Sequence, residues 1–223
     1  MISLLRGNEY QRLLLVFDSG KKNFRHVLNK DYKANRPETP FLLLNQLQAI
    51  QEILEQVNVS FIKLENYEAD DLIASFISQN IGFKIKFDIF SQDKDLLQLL
   101  IPKSSNKSQI NIYKYFDKKL KFYNYEDFVK EYNFCPANYV DYLSLVGDRV
   151  DNLDGAIGLK KAQRIIEQFS AIENLYQNIH KIRDPKIKKR LEIKKDLVLQ
   201  NKQLILLKKD LVLPIDLEKC FFS

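Results

Sequence analysis

Short apolar runs alternate with helix-like repeats in the first half of the chain. Residues 13–17 form an apolar run that ends at Asp18, Ser19 and Gly20, the pattern of a buried strand leading into a loop. Residues 41–57 then place apolar side chains at helical spacing, and residues 59–64 match a second strand. The pattern predicts that strands and helices alternate from the start.

The same alternation continues further along the chain. It predicts a helix over residues 68–78, a strand over 83–90 and a helix over 93–100, followed by a hairpin with strands at 110–115 and 121–123. Alternation of this kind favours an α/β fold, with a mostly parallel sheet covered by helices on both faces.

Helical patterns dominate the second half of the chain. They cover residues 126–132, 136–146, 160–169, 171–179, and 186–207 with a break. We therefore predict a core over residues 1–124 and a helical subdomain over residues 125–223. With 45% hydrophobic residues, the chain is expected to be globular throughout.

Eight carboxylates stand at the predicted ends of strands and helices. They are Asp18, Glu68, Asp70, Asp71, Asp93, Asp95, Asp148 and Asp151. In parallel sheets, ligands gather beyond the carboxyl ends of the strands. Hard oxygen ligands suit Mg²⁺ or Mn²⁺, and two such ions are a common means of cutting a phosphodiester. Helix capping is the structural alternative, and it accounts for one or two of these acids rather than the set.

Positive charge is unevenly placed along the chain, which has 35 Lys and Arg against 29 Asp and Glu. Residues 21–36 hold six cations and one acid, and residues 181–195 hold eight cations and two acids. In the first segment Phe24, His26 and Tyr32 interleave with the cations, as a surface that follows a nucleic-acid backbone requires. The second segment fits a solvated face equally well. Nucleic acid is the predicted partner.

A glycine-containing turn is predicted to open the helix near residue 160. Gly155 and Gly158 precede Lys160 and Lys161, and free amides with two cations form a site for a phosphate. The acids at 148 and 151 come just before this turn. Alone, they fit a plain acidic turn.

Several other chemistries are disfavoured. Cys135 and Cys220 have no metal-type spacing, and His26 and His180 lie far apart in the sequence. Metal-activated water is therefore preferred to a protein nucleophile. The cysteine usage and the absence of an apolar run of about 20 residues predict a cytoplasmic protein without a membrane span.

Six motifs, taken in order, closely resemble the 5′ nuclease domain of bacterial DNA polymerase I and its flap-endonuclease relatives. They are FDSG at 17–20, KNFRH at 22–26, YKANRP at 32–37, YEADD at 67–71, DKDL at 93–96 and VGDRVDN at 146–152. The resemblance runs over essentially the whole chain, and the ordered set is far more specific than any one motif.

This resemblance implies a nuclease core with a basic arch at about 21–40 and a helix-hairpin-helix turn near 147–169 that holds duplex DNA. All eight carboxylates match the family's metal ligands. Lys22 and Arg25 match residues that contact the scissile phosphate. The residues implied to bind DNA are Lys21, Phe24, Tyr32, Lys33, Arg36, Gly155, Gly158, Lys160 and Lys161.

The implied activity is that of a metal-dependent 5′–3′ exonuclease and flap endonuclease of DNA replication and repair. It would use two Mg²⁺ or Mn²⁺ ions, with a monovalent cation at the hairpin turn. Its substrate would be DNA with 5′ ends or flaps, bound without sequence preference by a monomer that cooperates with a separate DNA polymerase. A catalytically impaired DNA-binding remnant and a structure-selective ribonuclease are the alternatives.

Three departures from the family pattern bear on the remnant alternative. Family members begin with a further strand that ends in Asp-Gly, whereas Met1 to Leu5 match the helix that follows it, so one strand and one ligand are expected to be missing. A start site further upstream or another segment in the place of that strand would also account for this difference. The turn at 155–162 is shorter than the family's and has Lys161 in place of Thr. Gln92 stands where a glycine is usual.

Overall fold

The computed structural model describes residues 10–20, 22–104, 107–116 and 119–221. The chain divides into two compact units. The first unit comprises Met1–Phe24, Pro37–Asn80 and Lys208–Ser223, and the second comprises Arg25–Arg36 and Ile81–Leu207. The proposed boundary near Asn124 stays a prediction. The match of Met1 to Leu5 to the helix that follows the missing strand falls outside the described ranges, so it stays a prediction as well.

The first unit contains two short parallel strands, β1 (Leu15–Val16) and β2 (Phe61–Ile62). The basic segment contains the short helix α1 (Phe24–Leu28), whose residues from Arg25 onward belong to the second unit, and the described residues after this helix form turns. Two longer helices follow, α2 (Phe41–Gln56) and α3 (Ala69–Asn80). The predicted order of strand, helix, strand and helix is confirmed.

The core of the first unit is built on α3. Leu72 is fully buried, and Ala74, Phe76 and Ile77 lie with it. On α2, by contrast, Leu54 is the one buried residue. Most of the burial in this unit therefore comes from α3 and the strands beside it.

The last segment of the first unit returns to its beginning. The Leu13 N–H donates to the Cys220 carbonyl at 2.8 Å, and the Arg12 guanidinium lies over the Phe221 ring at 4.4 Å. The Ser75 hydroxyl donates to the Lys208 carbonyl at 3.0 Å. These contacts join three segments that are far apart in sequence.

The second unit has a three-stranded sheet. Strand β3 (Lys86–Phe90) pairs in parallel with β4 (Gln109–Phe116), which pairs antiparallel with β5 (Lys119–Tyr123). The predicted hairpin is confirmed. The helix predicted over residues 93–100 is instead a short 3₁₀ turn, Asp95–Leu99, which ends where Leu100 takes an extended backbone conformation.

Helices form the remainder of the second unit. They are α4 (Tyr125–Tyr132), α5 (Tyr139–Val146), α6 (Leu159–Phe169), α7 (Ile172–Gln177), α8 (Pro185–Ile193) and α9 (Lys195–Ile205). The predicted break in the last helical stretch lies at Lys194. Asn124 and Asp127 form a capping box at the start of α4, which explains why that helix begins where the hairpin ends.

Buried aromatic rings hold α4 against α5. The Phe128 ring lies 5.2 Å from that of Tyr139, and the Tyr132 ring lies 5.6 Å from that of Tyr142. Cys135 and Cys220 are both free thiols. Among the described helices, none is long and apolar enough to cross a membrane.

Candidate functional site

A tight loop after β3 positions Asp93 and Asp95. The Ser91 hydroxyl accepts the Asp93 N–H at 3.1 Å, and the Asp93 carboxylate accepts the Asp95 N–H at 2.8 Å. The 3₁₀ turn that begins at Asp95 then carries four buried residues, which anchor the loop in the core. The strand end therefore holds Asp95 at a fixed place.

A second tight turn, after α5, positions Asp148 and Asp151. Gly147 has φ +77°, and a Cβ at this position would lie 2.4 Å from the Leu153 carbonyl oxygen, so only glycine fits without strain. Asp148 and Leu153 exchange backbone hydrogen bonds of 2.8 and 2.7 Å. The Asp148 carboxylate also accepts the Val150 N–H at 3.0 Å. This turn fixes both acids.

The two turns bring three carboxylates together. One oxygen from each of Asp95, Asp148 and Asp151 lies within 4.8 Å of the others, the one such group among the described residues. Asp148 and Asp151 are each only 7% exposed. The Asp95 Oδ1 atom is buried and has no hydrogen-bond partner among the described residues, an arrangement that is costly for a carboxylate.

Burial and mutual repulsion raise the pKa of two of these acids, Asp95 and Asp151. Burial raises the pKa of Asp95 to about 8, and the negative charges of Asp93, Asp151 and Asp148 add to the effect. Burial also raises the pKa of Asp151, although Lys33 and Arg36 oppose that shift. In the protein without metal, the cluster therefore disfavours its full negative charge.

Cations from two segments of the chain partly neutralise the negative charge of the cluster. The Lys94 ammonium lies 2.9 Å from the Asp148 carboxylate, and the Arg36 guanidinium lies 2.5 Å from that of Asp151. The Tyr32 hydroxyl donates to the other Asp151 oxygen at 3.2 Å, and the Lys33 N–H donates to the Asp151 carbonyl at 3.0 Å. Three of the predicted DNA-binding residues thus contact this acid.

The donor set of the cluster fits a divalent cation. Three carboxylates supply hard oxygen atoms, and Asp95 Oδ1 is buried without a hydrogen bond to any described residue. A divalent ion relieves both the mutual repulsion and the unmet acceptor. These residues therefore suit Mg²⁺ or Mn²⁺ better than the softer metals that prefer thiolate ligands.

The other predicted acids lie in the first unit and are engaged differently. Asp18 Oδ1 accepts the Ala69 N–H at 2.8 Å. Asp71 is fully buried, and its two oxygens accept the Glu68 N–H at 3.2 Å and the Lys208 N–H at 3.0 Å. Asp18 and Asp71 thus both cap backbone groups at the start of α3.

The remaining acids of this set also stand at the start of α3. Glu68 accepts the Asn23 amide at 2.8 Å, and the half-buried Asp70 lies in the first turn of the helix. A carboxylate offers about four acceptor sites, so the hydrogen bond from Asn23 does not by itself use up the capacity of Glu68 to bind a cation.

The residues matched to the scissile phosphate differ in exposure. Lys22 is exposed. Arg25 is only 1% exposed, and its guanidinium donates to the Leu204 carbonyl at 2.6 Å and the Leu206 carbonyl at 3.4 Å. Phe24 is half-buried, with the Lys208 ammonium 5.3 Å from its ring centroid. Lys21 lies outside the described residues.

The glycine turn presents cations at the start of α6. A Cβ on Gly155 would lie 1.9 Å from the Val146 carbonyl oxygen, so the turn can pack on α5 only with glycine there. Gly158 precedes the first helical residue, and Lys160 and Lys161 are exposed beside it. This geometry leaves amides and ammonium groups open to a phosphate.

Two residues near these sites were not predicted. Lys94 pairs with Asp148, and its place between Asp93 and Asp95 was the available sequence signal. The Lys194 ammonium donates to the Gly155 carbonyl at 2.9 Å, which ties the break between α8 and α9 to the glycine turn. A contact across 39 residues leaves no trace in the sequence pattern.

Two family models together match the whole chain. One, described as the 5′-3′ exonuclease N-terminal resolvase-like domain, matches residues 1–133, and the other, described as the 5′-3′ exonuclease C-terminal SAM fold, matches residues 134–223. The chain belongs to the 5′-3′ exonuclease family. The predicted family is confirmed, and so is the α/β core followed by a helical part.

Relatives of this 5′-3′ exonuclease family chain agree with that assignment. It is 34% identical over 208 residues to DNA polymerase I of Bacillus subtilis (strain 168), covering 92% of the chain and 23% of the relative. It is 39% identical over 176 residues to the 5′-3′ exonuclease of Buchnera aphidicola subsp. Acyrthosiphon pisum (strain APS), covering 78% of the chain and 58% of the relative. The chain thus spans less than two thirds of either relative.

A solved structure supports the fold of this family member. The T5 D15 protein co-crystallized with metal ions superposes with a TM-score of 0.76 at 21% identity, covering 94% of this chain and 80% of that one. The catalytic core of Rad2 in complex with DNA substrate superposes with a TM-score of 0.56 at 18% identity, covering 91% and 67%.

Proposed function

We propose that the chain is a metal-dependent 5′–3′ exonuclease and flap endonuclease that hydrolyses DNA phosphodiesters in replication and repair. Membership of the 5′-3′ exonuclease family supports this activity. The observation that carries it is the cluster of Asp95, Asp148 and Asp151, in which a buried carboxylate oxygen lacks a partner among the described residues. A cluster of this kind is built for a cation rather than for stability.

We propose these three acids as the principal ligands of divalent ions, Mg²⁺ or Mn²⁺. Bound ions supply charge neutralisation at the phosphate and acidify a water molecule. The remaining members of the predicted ligand set are Asp18, Glu68, Asp70, Asp71 and Asp93. Their claim is weaker because backbone N–H groups already occupy oxygens of Asp18, Asp71 and Asp93. Two ions per chain is part of the proposal.

Positive side chains orient the substrate in this proposal. Arg36 and Lys33 lie beside Asp151 and add positive charge where a phosphate approaches the cluster. Exposed Lys22 is proposed to contact the scissile phosphate. Arg25 would have to break its hydrogen bonds to the Leu204 and Leu206 carbonyls before it could contact the phosphate. We propose instead that Arg25 holds the backbone of Leu204 and Leu206 in place.

The DNA partner is proposed to be held without sequence preference. Backbone amides near Gly158, with Lys160 and Lys161, suit phosphate contacts, which position a duplex but do not read bases. A monovalent cation at this turn, a monomeric state, a cytoplasmic location and cooperation with a separate DNA polymerase belong to the same proposal.

The test is cleavage of a labelled 5′-flap DNA by the purified chain. We expect cleavage with Mg²⁺ or Mn²⁺, none with a chelator, and a flat response to flap sequence. An RNA flap of the same sequence checks the ribonuclease alternative, which predicts faster cleavage of RNA. No cleavage with either ion would contradict the proposed activity.

The catalytically impaired remnant makes a separate prediction. It binds the same DNA with an affinity that falls as salt rises, yet leaves the DNA intact. The turn at residues 155–162, which is shorter than the family's, is the observation that favours the impaired remnant. Measuring binding in chelator and cleavage in Mg²⁺ on one protein preparation separates the two.

A further inference from the structure

Helix α9 contacts the backbone on both sides of the turn that carries two acids of the cluster. We call residues 147–153 the acidic turn. The Asn201 side chain on α9 is only 1% exposed, and its amide donates to the Ser144 carbonyl at 3.1 Å and to the Asp154 carbonyl at 2.8 Å. Ser144 lies in the last turn of α5, before the acids, and Asp154 lies directly after the acidic turn. One amide group therefore bridges the two ends of this turn.

These two bonds use both donors of the Asn201 side chain. A side-chain amide has two N–H groups, and each of them meets one carbonyl. Ser144 is among the last four residues of α5, whose carbonyls have no N–H partner within the helix. A buried carbonyl without a donor costs stability, so the end of α5 depends on Asn201. The side chain thus fixes the end of this helix relative to the chain that follows the acidic turn.

The same helix also holds the 3₁₀ turn that begins at Asp95. Gln98 lies in this turn and is 5% exposed. Its amide donates to the Ile205 carbonyl at 3.2 Å, and its amide oxygen accepts the Leu207 N–H at 3.2 Å, and both bonds are buried. Gln98 therefore pairs in both directions with the backbone at the C-terminal end of α9.

The two contacts lie about one helical turn apart on α9. Asn201 and Ile205 are four residues apart in this helix, so about 6 Å of helix axis separates them. A helix holds groups at a fixed separation more precisely than a loop does. Since one oxygen from each acid of the cluster lies within 4.8 Å of the others, the spacing of the two turns has to be held closely. Helix α9 is the element that contacts both turns through buried amides.

We propose that Asn201 and Gln98 are positioning residues for the metal cluster. Through these two side chains, α9 holds the acidic turn and the Asp95 turn at the spacing that a divalent ion needs. The inference rests on the proposed function for the identity of the metal ligands, but neither Asn201 nor Gln98 is itself a proposed ligand. Side chains that hold metal ligands in place change metal affinity by roughly 10- to 100-fold when they are mutated.

The affinity for Mn²⁺ tests the proposal without DNA and without cleavage. Metal-free protein is titrated with Mn²⁺, and the EPR signal of the free ion gives the dissociation constant. We expect Asn201→Ala and Gln98→Met each to weaken Mn²⁺ binding about tenfold, because the turn that each side chain holds is released. Methionine keeps the length of the Gln98 side chain but cannot donate to the Ile205 carbonyl. Asn201→Ser keeps one hydroxyl donor and should have a smaller effect than Asn201→Ala.

Two control variants remove a neutral amide that donates to a backbone carbonyl away from the cluster. Asn80→Ala acts on α3, where the 7%-exposed Asn80 amide donates to the Phe76 carbonyl at 2.8 Å. Gln163→Ala acts in the second unit, where the Gln163 amide donates to the Tyr132 carbonyl at 2.9 Å. Both controls should keep the Mn²⁺ affinity of the unmodified protein, even where urea unfolding shows that they have lost stability.

Amide hydrogen exchange in chelator gives a second readout that needs no metal. Mass spectrometry of peptides compares the acidic turn with residues 95–99. We expect Asn201→Ala to speed exchange about tenfold in the acidic turn and to leave residues 95–99 unchanged, and Gln98→Met to do the reverse. The reason is that each variant loses the hydrogen bonds that hold only its own turn, so local opening of that turn becomes easier.

Three outcomes would overturn the positioning role. The first is equal Mn²⁺ affinity in Asn201→Ala, Gln98→Met and the Asn80→Ala control. The second is faster exchange spread over the whole second unit, which would show a general loss of stability. The third is an unmodified protein that binds no Mn²⁺, which would remove the metal site itself. By contrast, an unmodified protein that binds Mn²⁺ but leaves a 5′ flap intact would contradict the proposed nuclease activity and leave the positioning role in place.

Discussion

The acids of the two units are used in opposite ways. In the first unit Asp18 and Asp71 accept backbone N–H groups at the start of α3. In the second unit Asp95, Asp148 and Asp151 face one another, and burial with mutual repulsion raises the pKa of Asp95 to about 8. Asp18 and Asp95 both follow a strand in the sequence, yet they serve different ends.

This difference separates stabilising acids from acids that cost stability. An acid that caps a helix contributes to folding, whereas three largely buried carboxylates within reach of each other oppose it until a cation binds. Asp93 belongs to the second unit but resembles the first group, because its carboxylate accepts the Asp95 N–H. The two kinds of acid should therefore respond oppositely to neutralisation.

The largest expected effect is on catalysis by the cluster. We expect Asp148→Asn to lower the rate of 5′-flap cleavage at least about 100-fold, since a lost ligand removes roughly 3 kcal/mol of charge stabilisation. Asp154→Asn, at an exposed position shortly after the same turn, is the matched control and should keep full activity. A similar rate for both variants would contradict the assignment of the cluster.

Neutralising Asp95 should stabilise the metal-free protein. Its folded pKa of about 8 lies above the ordinary value of 3.8, so the stability it contributes is greatest below about pH 4 and is lost as pH rises towards 8. We expect Asp95→Asn to raise the free energy of unfolding by roughly 2 kcal/mol at pH 7 and to flatten this pH dependence.

Urea unfolding across that pH range, with chelator, measures the effect. Added Mg²⁺ should stabilise the unmodified protein more than Asp95→Asn, because ligands of the native state raise its stability. Destabilisation by Asp95→Asn in chelator would show that this carboxylate is not under strain.

In the first unit, removing an acid should lower the free energy of unfolding rather than raise it. Asp71→Ala leaves the N–H groups of Glu68 and Lys208 without their acceptor, so we expect a loss of about 2 kcal/mol in the free energy of unfolding. Glu55→Ala, an exposed acid of α2, is the control and should change stability little. Urea unfolding at pH 7 compares the two variants. Equal free energies of unfolding for Asp71→Ala and Glu55→Ala would contradict the capping role of Asp71.

The smallest effect is expected at Asp18. Asp18→Ala should cost about 1 kcal/mol by removing the acceptor of the Ala69 N–H, and Asp18→Asn should restore most of that loss. Urea unfolding measures both. If Asp18 also binds metal, both variants lose flap cleavage, though less than Asp148→Asn. Full activity in Asp18→Asn would assign this acid to capping alone.

The sequence was sufficient for the elements with strong periodicity and for the family. The hairpin and α3 lie where their patterns predict, and the last helical stretch is broken, as predicted. Asp95, Asp148 and Asp151 are three of the eight carboxylates that the sequence pattern singles out. The turns at Ser91 and Gly147 fix their positions in the structure.

Other features depend on contacts that no local pattern encodes. The hydrogen bond from Tyr32 to Asp151 spans 119 residues, and the burial of Arg25 depends on carbonyls 179 or more residues away. The same limit applies to capping by Asp71, whose second donor is Lys208.

The return of Lys208 and Cys220 to the first unit bears on how the protein folds as it is made. Leu13, Ser75 and Asp71 can form their bonds to this segment only after it has left the ribosome, which adds residues at roughly 5–20 per second. The second unit ends at Leu207, before this segment begins, so its helices are free to form earlier. During synthesis, the strands of the first unit therefore stay partly exposed to solvent until residues 208–221 emerge and pack against them.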